Sequence, residues 1–175
     1  VMWLDADGSM TPKAIKKLVL ELKNDREKVI VGSRFTKDGG YKGVKDIGTK
    51  SFFTAIKNVK NSNDSVFGMI FSIMFNKFLI FIFPYGVKDL TSGFVIGKRE
   101  YFIKSPFSKS EYGEYFIYMI KDLYSKDITI SEIGYICETR IAGESKTANS
   151  LLQLFKRGLP YIKAAFICRF TKYGN

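Results

Sequence analysis

The sequence predicts an α/β fold in which helices cover a parallel sheet. The apolar run at residues 1–5 favours a buried strand, and Val29-Ile30-Val31 favours a second one. Between them, Ser9, Thr11 and Pro12 indicate a helix start, and apolar residues then recur at helical spacing to residue 22. Because strand, helix and strand follow in this order, parallel pairing is expected.

The rest of the chain continues the mixed pattern. Residues 35–65 are rich in Gly, Lys, Asn and Asp and predict a long mobile loop. Residues 66–83 are strongly apolar but shorter than a membrane span needs, which favours a buried or interfacial helix. Further strands are predicted at 94–97, 128–130 and 133–137, a helix at 112–125 that buries Phe116, Ile117, Met119, Ile120 and Leu123, and an amphipathic helix at 149–170.

The amino-acid composition restricts which kinds of active site the protein can contain. The 175 residues suffice for one domain, and 46% hydrophobic with 26% charged residues is typical of a folded protein. The absence of histidine excludes a His-based triad, a His-ligated zinc and a His general base. A net charge of +11 indicates either an anionic partner or a lysine-rich surface without a specific partner. Cys137 and Cys168 lie far apart, which favours two inert thiols over a disulfide.

The chain opens on an apolar strand without an initiator methionine, so we expect an N-terminal portion of the domain to be missing. Residues 1–148 are interpreted as one domain that lacks its N-terminal part. Residues 149–175 are interpreted as an amphipathic helix that could lie at a membrane interface.

Asp5 and Asp7 follow the first predicted strand. Residues two apart in an extended chain point the same way, and ligands of open α/β sheets gather where strands end. Mg²⁺ and Mn²⁺ prefer such oxygen ligands, so a metal site that holds substrate phosphates is one interpretation. A solvated acidic loop is the other.

Four ordered segments stand out as motifs. They are residues 4–9 (LDADGS), residues 31–35 with Gly39-Gly40 (VGSRF…GG), residues 89–94 (DLTSGF), and residues 112–115 followed by 140–146 (YGEY…RIAGESK). Together they resemble glycosyltransferase family 2, and in particular its polyprenyl-phosphate and dolichyl-phosphate mannose synthases. The resemblance implies that residues 1–148 are the C-terminal part of a GT-A (Rossmann-like) catalytic domain. Because family members bind the nucleotide base through an N-terminal strand and loop, the isolated 175 residues are expected to be inactive, and turnover by them would contradict this. The resemblance also implies inverting transfer of one sugar, with mannose favoured, from GDP-mannose or UDP-glucose to a polyprenyl or dolichyl phosphate.

The same resemblance assigns roles to particular residues. Asp5 and Asp7 would bind the metal and the donor diphosphate, with Ser9 as a further ligand. Arg34 would meet the acceptor phosphate, and Asp89 would position Arg34 or the sugar, unless it only caps a turn. The remaining implied substrate-binding residues are Ser72, Ser92, Arg140, Ser145 and Lys146, of which Arg140 and Lys146 would close over the phosphates.

One departure concerns the acceptor site. Relatives usually carry an Arg or Lys between the double glycine and the DLTSGF segment, and that position falls on Gly68. Residues 41–65 look like an insertion, and a lysine there, such as Lys50, could substitute.

The lipid acceptor implies a peripheral location on the cytoplasmic face of a membrane. Two alternatives stay open at this point. A family 2 enzyme acting on a sugar hydroxyl would need a carboxylate base, for which Asp89 is the candidate. A non-catalytic basic module binding a membrane or nucleic acid would not need Asp5 or Asp7, and because the sequence resembles no nucleic-acid-binding motif, no nucleic-acid partner is expected.

Overall fold

A computed structural model describes residues 1–45, 49–60, 66–102, 110, 112–139 and 151–171. Besides a short 3₁₀ helix at Arg99–Tyr101, seven strands and five α-helices lie in these ranges. They follow in the order β1 (Met2–Trp3), α1 (Pro12–Asn24), β2 (Val29–Ser33), β3 (Gly40–Tyr41), β4 (Val44–Lys45), α2 (Thr49–Lys60), α3 (Val66–Ile82), β5 (Val95–Ile96), α4 (Tyr115–Ser125), β6 (Ile130–Gly134), β7 (Ile136–Cys137) and α5 (Leu151–Phe170).

Helix α1 begins as its sequence predicts. Thr11 is the N-cap, and its hydroxyl oxygen accepts a hydrogen bond from the Ala14 amide at 3.3 Å. Pro12 occupies the first turn, where its missing N–H would have no helical partner. Ala14 and Leu18, four residues apart, are the buried residues of the helix. The predicted helix start is therefore confirmed.

The main sheet has the strand order β1-β5-β2-β6 and is mixed. Strand β2 pairs in parallel with β6, from Val29 opposite Ile130 to Ser33 opposite Gly134. Strand β5 is antiparallel to both β1 and β2, so β1 and β2 run the same way on either side of it. Parallel pairing is therefore confirmed for β2 and β6, but the antiparallel β5 was not predicted, because the apolar pattern of a two-residue strand carries no information on its direction.

Strand β1 lies at the edge of this sheet and pairs only with β5. Trp3 is 46% exposed, and Val1 and Leu4 are exposed too. The prediction of a buried strand over residues 1–5 is therefore wrong in both length and burial. An edge position leaves one side of the strand uncovered, which an apolar sequence alone does not reveal.

A second, smaller sheet has the order β4-β3-β7. Strands β3 and β4 form a hairpin, and β3 pairs in parallel with β7. Helix α2 follows and buries Ala55 and Val59, which are four residues apart. The prediction of one long loop over residues 35–65 is wrong, since this segment contains β3, β4 and α2. The two strands were missed because two-residue strands held by a distant partner show no periodicity of their own.

The helices cover both faces of the main sheet. Side chains of β2 alternate, so Val29 and Val31 pack in one core while Ile30 packs in the other. The first core is completed mainly by α4, α5 and the end of α3, and the second by α1, α2 and the start of α3. The buried residues of α4 are the five that the sequence predicts, namely Phe116, Ile117, Met119, Ile120 and Leu123.

Helix α5 packs against α3 and α4 and contributes Ala164, Ala165 and Cys168 to the first core. Cys168 and Cys137 are both free and buried, as predicted. In the part of the chain that the structure describes, no helix combines the length and the apolar character that crossing a membrane requires.

Candidate active site

The shared direction of three strands explains why distant residues meet. Strands β1, β2 and β6 run the same way, so their carboxyl ends lie at one edge of the sheet. Asp5 follows β1, Arg34 follows β2 and Tyr135 follows β6. The antiparallel β5 begins at that edge and brings the segment before it, Thr91-Ser92, to the same place. Open α/β sheets bind their ligands at this edge.

The acidic loop after β1 is internally ordered. The amide and the hydroxyl of Ser9 both donate hydrogen bonds to Asp7 Oδ1, at 3.0 and 2.6 Å. Gly8 between them has a φ of 78°, which glycine adopts without steric cost. The Glu138 amide donates to the Ser9 carbonyl at 3.0 Å and ties the loop to the end of β7. Ser9 thus fixes the orientation of the Asp7 carboxylate.

Arg34 and Asp89 form a buried ion pair. Arg34 Nε donates to Asp89 Oδ2 at 2.8 Å, and Nη2 donates to Oδ1 at 2.7 Å, which is the bidentate arrangement. The Arg34 amide also donates to Oδ2, and Nη2 donates to the Thr91 hydroxyl. Arg34 is 9% exposed and Asp89 is fully buried. Burial alone would lower the pKa of the guanidinium, but Asp89 more than offsets this and holds it well above its ordinary value.

The loop that carries Asp89 is held from two sides. Glu132 on β6 accepts hydrogen bonds from the amides of Lys88 and Asp89, at 3.0 and 3.2 Å. Asn76 on α3 donates to the Lys88 carbonyl at 2.7 Å and accepts from the Leu90 amide at 2.8 Å. Burial raises the pKa of Glu132, and these amide bonds act in the opposite direction. Both side chains therefore fix the position of Asp89.

The acidic loop and the buried arginine open onto one cavity of about 60 Å³. It brings together five residues that the sequence predicts as site residues, namely Asp5, Asp7, Ser9, Arg34 and Ser92. The other described residues that line it are Met10, Tyr41, Lys42, Thr91, Tyr135 and Cys137. Two carboxylates and a guanidinium thus share one small, polar space.

The remaining predicted residues differ in how the structure describes them. Ser72 lies half-buried on α3 and is not among the described residues that line the cavity. Ser92 does line it, but its hydroxyl donates to the Gly32 carbonyl and accepts from the Phe94 amide, so it also anchors the turn before β5. Lys50 lies in α2 with its side chain outside the described part. Arg140, Ser145 and Lys146 lie outside the described residues.

Three side chains that line the cavity were assigned no role from the sequence, namely Tyr41, Lys42 and Tyr135. Tyr135 is buried, and burial raises the pKa of its phenol well above the ordinary value. Tyr41 stands directly after Gly39-Gly40, and its ring centroid lies 5.0 Å from Arg34 Cζ. Tyr115 is not among the described residues that line the cavity, but it lies near Asp5, and burial and then the charge of Asp5 raise its pKa to about 12. The sequence offered a signal for Tyr41, which follows the glycine pair, and for Tyr115, which belongs to the YGEY segment, but none for Tyr135.

The donor set around Asp5 and Asp7 fits a hard divalent cation. In the described ranges no three His, Cys, Asp or Glu residues cluster as a complete metal cage. Mg²⁺ is commonly held by one or two carboxylates, while water and substrate phosphates supply its remaining ligands. The pair Asp5 and Asp7, oriented by Ser9 and facing a cavity, meets that requirement.

An α/β sheet with acidic and basic groups at its carboxyl edge is the arrangement of a Rossmann-like, GT-A transferase. The model of the family described as glycosyl transferase family 2 matches residues 1–105, more than half of the chain. The chain belongs to this family. No curated protein matches it. Membership makes it a glycosyltransferase with a nucleotide-sugar donor and an acceptor, in a family whose members commonly depend on a divalent metal.

Proposed function

We propose that this glycosyltransferase moves a sugar, with mannose favoured, from a nucleoside diphosphate sugar to a polyprenyl or dolichyl phosphate. GDP-mannose is the favoured donor and UDP-glucose the next. The observation that supports this most directly is the single cavity lined by Asp5, Asp7 and Arg34. An acidic pair suits a metal-bound diphosphate, and a guanidinium suits a second phosphate.

The reaction needs little proton transfer from the protein. The second pKa of a phosphate monoester is about 6, so the acceptor is largely a dianion near neutral pH and is already a nucleophile. The protein has to bring two anions together and to align the attacking oxygen with the anomeric carbon. Arg34, held rigidly by Asp89, offsets the acceptor charge and orients it.

Asp5 and Asp7 would hold Mg²⁺ or Mn²⁺, and Ser9 would keep Asp7 in place and offer its hydroxyl oxygen as a further ligand. When bound, the metal supplies positive charge that stabilises the departing diphosphate. Arg140 and Lys146 would close over the phosphates from the C-terminal side, with Ser145 between them in the same segment. Ser72 and Ser92 would contact substrate as well, with Ser92 the better placed because it lines the cavity.

The rival reaction, transfer to a sugar hydroxyl, needs a general base near the acceptor. Asp89 was the candidate, but both of its oxygens accept hydrogen bonds from Arg34 and the side chain is fully buried. A carboxylate in that position serves to orient the arginine. This favours a phosphate acceptor, which requires no base.

The deciding experiment is a transfer assay with the complete gene product. It contains Mg²⁺ or Mn²⁺, a panel of radiolabelled nucleotide sugars, and polyprenyl phosphate. We expect label to move into the organic phase with polyprenyl phosphate and not with polyprenol, which has the same chain but no phosphate. Label that appears only on added saccharides would contradict the phosphate acceptor and favour the rival.

The lipid acceptor also requires the enzyme to lie at a membrane surface, and we place it on the cytoplasmic face. Helices α3 and α5 pack on each other and expose large apolar side chains. These are Met74, Phe78 and Phe81 on α3, and Leu159, Phe166, Ile167 and Phe170 on α5. Phe81 is 83% exposed. Apolar side chains on helices that also carry lysine and arginine suit the interface of an anionic bilayer.

Binding to vesicles tests this placement. Leu159→Ser on α5 is expected to weaken co-sedimentation with anionic vesicles several-fold, because a leucine side chain contributes about 1.5–3 kcal/mol when fully removed from water. Leu20→Ser on α1 is the matched control, since Leu20 is 50% exposed and Leu159 58%. Equal vesicle binding by both variants and the parent protein would show that α5 does not contact the bilayer.

A further inference from the structure

The turn between β3 and β4 carries a lysine in an unusual backbone conformation. Gly40 and Tyr41 pair with Lys45 and Val44, which leaves Lys42-Gly43 as a two-residue turn. Lys42 has a φ of 56° and Gly43 a φ of 75°, the left-handed values of a type I′ hairpin. Asn, Asp and Gly are preferred at the first of these positions. The turn itself therefore gives no reason for a lysine.

The side chain of Lys42 lies inside the protein, although the residue sits on a turn. It is 5% exposed and lines the same cavity as Asp5, Asp7 and Arg34. Its Nζ lies 5.2 Å from the ring centroid of Tyr41, the ring that Arg34 also approaches. Burial raises the pKa of the Cys137 thiol, and the charges of Arg34 and Lys42 offset part of this rise. Lysine is mostly exposed in folded proteins, so a lysine that is buried on a turn is unusual.

The backbone of the turn is fixed from both sides. The Gly43 amide donates to the Cys137 carbonyl at 3.0 Å, and Asn58 Nδ2 donates to the Lys42 carbonyl at 3.0 Å. The next residue along, Glu138, holds the Ser9 carbonyl. The end of β7 thus fixes the backbone of the acidic loop and the backbone of the lysine turn relative to each other.

We propose that Lys42 binds a phosphate oxygen of the substrates in this cavity, an inference that rests on the proposed phosphate chemistry of the site. Asp89 holds Nε and Nη2 of Arg34 in the bidentate pair and so fixes the direction from which Arg34 can bind a phosphate. Lys42 is a second cation on the same cavity. The ammonium group acts as a point charge on a flexible stem, and it can follow an oxygen that the fixed guanidinium does not reach. The phosphate belongs to the donor diphosphate or to the acceptor.

Lys42→Asn separates binding from folding, because asparagine suits the left-handed turn better than lysine does. The asparagine variant is therefore expected to fold, and kcat/KM for transfer is expected to fall about 10- to 100-fold, the loss of one charged hydrogen bond. Lys42→Gly, which the turn also tolerates, gives the same readout if the asparagine variant folds poorly. Lys45→Asn is the matched control, because Lys45 lies three residues on with its side chain 55% exposed.

Two measurements on the complete gene product identify the phosphate. The first is the dissociation constant of the nucleoside diphosphate with Mg²⁺ and no acceptor, and the second is the KM for polyprenyl phosphate at saturating donor. Weaker nucleotide binding assigns Lys42 to the donor diphosphate, and a raised acceptor KM alone assigns it to the acceptor. Values equal to those of the parent protein in both measurements overturn the inference. A parent protein without polyprenyl phosphate transfer would instead refute the proposed acceptor, and the nucleotide measurement would still test Lys42.

Discussion

Replacing Asp89 by alanine is expected to lower the free energy of unfolding by about 3–5 kcal/mol and to abolish transfer. The carboxylate is fully buried and accepts three hydrogen bonds from Arg34. Its removal leaves a guanidinium that is 9% exposed without the charge that compensates it. Arg34 would then reorient toward water, and its position in the cavity would be lost. Urea unfolding and the organic-phase transfer assay measure the two effects.

Two further variants separate stability from chemistry. Asp25→Ala removes an exposed aspartate that lies 3.2 Å from Lys28, and it is expected to leave both unfolding and transfer unchanged. The double variant Arg34→Met with Asp89→Leu replaces the pair by apolar groups, which often restores stability. It is expected to fold and to remain inactive. Transfer by this double variant would mean that Arg34 has no part in the reaction.

The elements that were predicted correctly are those whose own residues show a cap, a helical spacing or a continuous apolar run. Helix α1 has its cap at Thr11 and its proline in the first turn, and the five buried residues of α4 follow helical spacing. Strand β2 is a continuous apolar run ending in Gly-Ser, and all five of its residues are buried. In each case the residues that decide the structure are close together in the chain.

The elements that were missed depend on partners far along the chain. Glu132 meets the Lys88 amide across 44 residues, and β3 exists because it pairs with β7. The direction of β5 is likewise set by the strands on either side of it. Neither periodicity nor turn chemistry encodes such pairings, so the sequence did not predict β3, β4 or the antiparallel direction of β5. Helix α2 is a different case, because Ala55 and Val59 have helical spacing and only the polar composition around them suggested a loop.

Some residues of the candidate site could likewise be predicted from the sequence, and others could not. The resemblance pointed to Asp5, Asp7 and Arg34, and the structure places all three on one cavity. It pointed to a lysine within residues 41–65, with Lys50 as the example, but it could not single out Lys42, because a lysine at a turn in a chain with a net charge of +11 looks like any other surface cation. The side chain stands out only when burial and position are known. The site is therefore predictable where it follows the motifs of the family.

Asp7→Asn is expected to reduce transfer about 100- to 1000-fold, the range found when one group that stabilises developing charge is removed. The folded state should persist, because Asn keeps an oxygen that can accept the two hydrogen bonds from Ser9. Asp5→Asn should behave alike, since Asp5 is exposed and lines the same cavity. The measurement is transfer as a function of Mn²⁺ concentration, and both variants should require more metal for half-maximal rate.

Asp127→Asn is the matched control for this pair of variants. Asp127 is exposed beyond α4 with a φ of 54°, a conformation that asparagine tolerates, so transfer and metal dependence should match those of the parent protein. A non-catalytic basic module would bind its anionic partner equally well with Asp5 and Asp7 neutralised, because removing negative charge does not weaken attraction to an anion. A transferase that holds its donor through a cation must lose rate instead. Unchanged transfer in both variants would therefore remove the carboxylate pair from the mechanism and leave Arg34 and Lys42 to bind phosphate alone.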